Sequence, residues 1–238
     1  MRFSLFLIPA LLLAFSSCDV LNHAVSTVTT EAPLTNDQMA GGIKDALKQG
    51  ASKAVSLLSM KDGYFGNPGI KILFPEEAKK VENTLRSVGA GALVDNAIEK
   101  MNRSAEDAAI GSKDILVNAI TSMTMSDALN ILMGEPNACT NYLRRTTSDQ
   151  IYQKFYPVIG SSMNKVGAAT AWNEVTTRYN KVPMVEKVNT DLNDHITRKA
   201  MEGLFKKIEG EEAEIRANPL VRGTELMKKV FAKQDSNK

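Results

Sequence analysis

The chain has 238 residues, a formal net charge of +2 and 43% hydrophobic residues. That is ample for a buried core and suits one large domain or two small ones. The basic pairs Arg144-Arg145, Lys206-Lys207 and Lys228-Lys229 lie far apart, so a weakly charged chain offers no basic footprint for nucleic acid.

The first element is an address. Arg2 precedes an apolar run from Phe3 to Phe15, broken only by Ser4 and Pro9. The run is too short to cross a ~30 Å hydrocarbon core as a helix. It fits the apolar region of a secretory signal, and Ser16-Ser17 are the small residues a signal peptidase needs beside its cut. Cys18 directly after them resembles the bacterial lipobox, in which the cysteine is acylated and becomes the new N-terminus; Phe15 stands where Leu is usual. An ordinary signal peptide with a chance cysteine is the competing reading. The expected plan is residues 1–17 as signal peptide, 18–34 as lipidated tether, 35–233 as helical domain and 234–238 as disordered tail. Asp19 resembles the inner-membrane retention signal of enteric lipoproteins, a lineage-specific rule that leaves the choice of membrane open.

Thr35 with Gln38 resembles a capping box. Ile43, Leu47, Ala51, Val55 and Leu58 then predict an amphipathic helix over about 36–59, which Gly41, Gly42 and Gly50 either weaken or open to the close approach of another backbone. Asp62-Gly63 and Asn67-Pro68-Gly69 are turns. Ile70 to Phe74 reads as extended and could pair with Tyr64-Phe65 as one short β-hairpin near residues 64–74. Pro75-Glu76-Glu77 opens a helix that Gly89-Ala90-Gly91 breaks. Further helices are predicted over 92–108, 112–123, 126–133 (Ser126 as cap), from Ser148 through Pro157 with a kink, around Trp172 and Tyr179, from Asp191 to about Ile215, and around Leu226–Phe231. The fold class is all-α, a multi-helix single domain.

The motifs Gly42-Ile43-Lys44-Asp45-Ala46-Leu47, Asp62-Gly63-Tyr64, Met101-Asn102-Arg103-Ser104-Ala105-Glu106, Tyr179-Asn180 with Pro183, Leu204-Phe205 and Lys229-Val230-Phe231 together resemble the bacterial domain-of-unknown-function 4197 family, over about Asn36 to Phe231. The resemblance implies a helical envelope protein with no activity to carry over. His195 stands where that family more usually has Tyr.

Chemistry is sparse. His23 lies in the tether and His195 is alone, with Asp191 and Asp194 just before it, so no metal-ligand spacing exists and no metal or cofactor is expected. No Gly-x-Ser-x-Gly elbow or phosphate loop is present, and no catalytic residue is assigned. Cys139, left single once Cys18 takes lipid, sits at a predicted helix start; this could lower a thiol pKa, although a buried inert cysteine is the plainer reading.

One polar site stands out. With Met101 at the centre of its helix's apolar arc, Arg103 falls about 200° away, on the opposite side. Glu99, Glu106 and Asp107 lie three or four residues from it and can surround the guanidinium. Arg103 with Glu106 is the candidate site, and a surface ion-pair cluster the simpler account, in which Arg103→Ala costs less than ~1 kcal/mol. The expected role is binding or structural, at a periplasmic membrane surface, met through the lipid anchor and an envelope protein partner. A carrier of an apolar ligand between helices and an uncharacterised enzyme are the alternatives, the enzyme being the less favoured.

Overall fold

The helix borders follow local chemistry closely. The structure, a computed structural model, describes residues 33–185 and 192–235; the signal, most of the tether, Cys18, His23 and Asp191 lie outside those residues. Helix α1, Asn36–Leu58, is opened by the reciprocal Thr35/Gln38 capping box. α2, Lys79–Ser87, follows a 3₁₀ turn at Glu76–Ala78 that Pro75 precedes. α3 is Gly91–Ala109 and α4 is Lys113–Thr121.

α5, Met125–Met133, is capped by Thr124 and not by the expected Ser126: Thr124 and Asp127 form the reciprocal box, with the cap two residues earlier. α6, Ala138–Lys165, runs unbroken through the expected start at Ser148. Ser148 points its hydroxyl back to the Arg144 carbonyl at 2.6 Å, a bond a serine makes inside a helix. α7 is Ala168–Tyr179, α8 Leu192–Ala217 and α9 Glu225–Asp235. No strand occurs among the described residues, and the fold is an all-α multi-helix domain.

Helices α1, α3, α6 and α8 make the centre. α6 packs on both α8 and α3, α1 packs on α8, and α9, α4 and α5 cover α1 from outside. The core joins Ile43, Leu58, Met101, Leu143, Ile151, Phe155, Ile196 and Phe205, all essentially inaccessible. Gly42 permits the α1–α9 contact: a Cβ there would lie 2.6 Å from Val230 Cγ2. Among the described residues no single helix is long and apolar enough to cross a membrane.

Helix ends are served from a distance. Lys44 donates to the carbonyls of Thr121 and Met123 at the end of α4, and Lys100 to that of Val166 after α6. Arg216 donates to the Ile131 carbonyl of α5 at 2.8 Å, and buried Arg222 to the Ile215 carbonyl of α8 at 3.0 Å. Cations at carbonyl ends satisfy orphan acceptors and suit the helix dipole.

Candidate functional site

The segment 62–74 explains why the expected hairpin is absent. Part of its backbone bonds within its own turns, and groups of Tyr64, Phe65, Gly69, Ile72 and Leu73 are met by side chains of α3 and α8, so no strand partner is needed. Glu106 Oε1 accepts the N–H groups of both Tyr64 and Phe65 at 3.1 Å. The Asn102 amide clamps Ile72 on both sides, accepting its N–H at 2.8 Å and donating to its carbonyl at 2.8 Å. Tyr64 is fully buried; its ring lies against Gly203 of α8, where a Cβ would come within 2.7 Å, and its hydroxyl donates to the Ala200 carbonyl at 2.8 Å. Burial, with the Glu106 charge nearby, pushes that phenol far above its ordinary range.

Arg103 completes this clamp. Its guanidinium donates to Glu106 Oε2 at 2.8 Å, to Asp62 at 2.7 Å and to Glu99 at 3.1 Å, with the Phe65 ring 5.2 Å away. The side chain is 18% exposed and that of Glu106 only 5%. Burial opposes the arginine's charge, but the hydrogen bonds to Glu106, Asp62 and Glu99 outweigh it and hold the guanidinium above its ordinary pKa. Glu99 and Glu106 thus lie where the helical spacing puts them. Asp107 does not: it accepts from Ser162 of α6 at 2.6 Å and lies 3.6 Å from Lys165. The cluster is partly covered: the 62–74 segment lies over Glu106 and much of Arg103, while Asp62 and Glu99 stay about half exposed. Asp62, Tyr64 and Asn102 were missed. The Asp62-Gly63 turn was the available signal: Asp62 sits at φ 68°, a left-handed conformation Asp tolerates.

A second buried carboxylate does similar work. α6 has no local side-chain cap. Glu212 of α8 supplies one, accepting from the N–H groups of Cys139 and Thr140 at 3.1 and 2.9 Å and from the Thr140 hydroxyl at 2.8 Å. Arg216, one turn on, donates to Glu212 Oε1 at 3.0 Å. The helix N-terminus that might have activated Cys139 is therefore occupied by a carboxylate. Burial first, and the Glu212 charge second, push the thiol well above its ordinary range.

A groove opens on the far side of the clamped segment, between residues 69–79 and α8. Lys71, Lys79, Lys199 and Lys206 line it, with Glu76 and Glu202 opposing them and Ile70 and Leu73 giving an apolar wall. His195 also borders it, its Nε2 donating to the Leu73 carbonyl at 2.9 Å. No set of three or more His, Cys, Asp or Glu able to hold a metal occurs among the described residues.

The family model described as "Protein of unknown function (DUF4197)" matches residues 33–232. The chain belongs to this family. No curated protein and no solved structure matches it. The match takes in α1 through most of α9, so the clamp on α3, the Glu212 cap and the groove all fall within the family domain.

Proposed function

We propose that this protein is a binding protein of the bacterial envelope, held to a membrane through lipid on Cys18 and facing the periplasm. Its binding face is the groove between residues 69–79 and α8, open to an acidic envelope component. The observation that carries this reading is the uneven use of charge. Arg103, Glu106, Glu212 and Arg216 are consumed in buried clamps, whereas the groove, with a volume of ≈ 450 Å³, presents four lysines to two glutamates. Grooves of this size suit small ligands or a partner's side chains. Of two similar grooves, the one along the α6–α8 seam sets two arginines against two carboxylates, and the one flanking α7 sets two cations against one glutamate.

The carrier reading has less support. The apolar void among α1, α6 and α8, lined by Ile43, Leu47, Ile208 and Ile215, measures ≈ 20 Å³, room for about one water. An apolar ligand would require those helices to part.

Two experiments test the proposal. Cys18→Ser should move the protein out of the membrane fraction, since the acyl chains supply the anchorage at about 0.8 kcal/mol per buried CH₂; retention like wild type would remove the anchor from the account. A photo-cross-linker replacing exposed Leu73 should capture an envelope component in cells, and Lys71→Glu with Lys206→Glu should abolish the product. A product unaffected by the charge reversal would move the binding face elsewhere.

A further inference from the structure

We infer that the groove receives a phosphate monoester, held between Lys71 and Lys206 against the wall of Ile70 and Leu73. This rests on the binding role proposed above and names the chemistry of its ligand.

The four lysines are not equivalent. Lys79 and Lys199 each pair with a carboxylate three residues away, Glu76 and Glu202, at 2.7 Å. Lys71 and Lys206 are placed by neutral groups instead. The Lys71 ammonium lies 3.9 Å over the Phe65 ring, and the Lys206 ammonium donates to the Gly69 carbonyl at 3.0 Å. An aromatic face and a carbonyl orient a cation without cancelling its charge. Lys206 retains two of its three N–H donors.

Both anchoring partners belong to the clamped segment. Phe65 is fixed through its N–H to Glu106, and Gly69 lies between Phe65 and Ile72, which Asn102 holds. The two charges are thus positioned before any ligand arrives, which lowers the ordering cost of binding. A single carboxylate would leave one of them unmatched. A phosphate monoester carries about −1.5 to −2 at neutral pH, with three acceptor oxygens, and can take a donor from each lysine. The group could reach the groove on a lipid headgroup or on a small soluble molecule; the chemistry of recognition is the same.

The test is a lysine footprint on the full chain, reconstituted through its anchor in phosphatidylcholine vesicles and labelled with an amine-acetylating reagent. One arm adds phosphatidic acid to the vesicles; the other adds glycerol 3-phosphate in solution. Acetylation of Lys71 and Lys206 should fall about fivefold in at least one arm, the worth of one lysine near an anionic surface, while exposed Lys113 and Lys228 change little. Protection by phosphatidic acid alone assigns a lipid headgroup; protection by glycerol 3-phosphate assigns a soluble phosphate. In the protein carrying Lys71→Gln, protection of Lys206 should be lost, and Lys71→Arg should restore it. No protection in either arm, or equal protection at Lys113 and Lys228, would overturn the inference. If both arms are silent while the Leu73 cross-link still depends on Lys71 and Lys206, the binding role stands and the ligand class is wrong. If the cross-link is also indifferent to them, both readings fall.

Discussion

Glu106 and Glu212 invite comparison because they solve one problem in two settings. Each is a buried carboxylate that accepts two consecutive backbone N–H groups from a distant segment and pairs with an arginine one turn away on its own helix. Glu212 serves the start of a helix, where orphan donors and the dipole both favour an anion. Glu106 serves an irregular segment with no dipole, so its arginine is braced further by Asp62 and Glu99. A helix terminus supplies its own electrostatic complement, whereas a loop held without strand pairing needs a network of side chains.

Removing either carboxylate should have the largest effect. Glu106→Ala and Glu212→Ala each remove one carboxylate partner from a largely covered arginine and leave two backbone donors unpaired, and each should cost ~3–5 kcal/mol in urea unfolding. A loss below ~1 kcal/mol at either position would place that carboxylate in water.

The glutamine variants sharpen the comparison. Glu106 divides its tasks, Oε1 taking both N–H groups and Oε2 taking Arg103. Glu106→Gln can keep the backbone bonds and lose only the arginine, so it should cost ~1.5–3 kcal/mol, clearly less than Glu106→Ala. Glu212 receives a backbone N–H on each oxygen. An amide must turn a donor toward one of them, so Glu212→Gln should approach the cost of Glu212→Ala. Equal ratios at the two sites would contradict this division of labour.

Arg103→Ala comes next, at ~1–3 kcal/mol. That exceeds the surface-pair value read from the helical spacing, because Asp62 and Phe65 close over the guanidinium. The smallest effect is at Cys139. It should resist iodoacetamide at neutral pH in the native protein and react on unfolding, as burial and the Glu212 charge disfavour its thiolate. Native-state labelling at the rate of a free thiol would mean that α6 frays at its start.

Much of the fold was legible because its signals are local. The Thr35 capping box, the apolar stripe of α1 and the break at Asn218-Pro219 depend on residues a few positions apart. Ser126 was mistaken for a cap because Thr124 offered the same chemistry two residues earlier, with Asp127 to reciprocate. The site was half legible. Arg103, Glu99 and Glu106 meet because one helix puts them together. Asp62, Tyr64 and Asn102 join them across intervals no periodicity reports, and the Glu212 cap spans more than seventy residues. The apparent strand at Ile70–Phe74 begins in a turn on the Asn67 carbonyl, and the backbone groups of Ile72 and Leu73 are met by the side chains of Asn102 and His195, a substitution composition cannot reveal.

The central claim is that Glu106 and Arg103 hold the 62–74 segment on α3 and so build one wall of the groove. Amide hydrogen exchange at Tyr64 and Phe65 tests it most directly. In the wild-type protein these two amides should be protected nearly as well as those of the α3 core, and in Glu106→Ala they should exchange rapidly while α1, α6 and α8 keep most of their protection. Unchanged protection at Tyr64 and Phe65 in that variant would contradict the clamp, and with it the origin of the groove's fixed geometry.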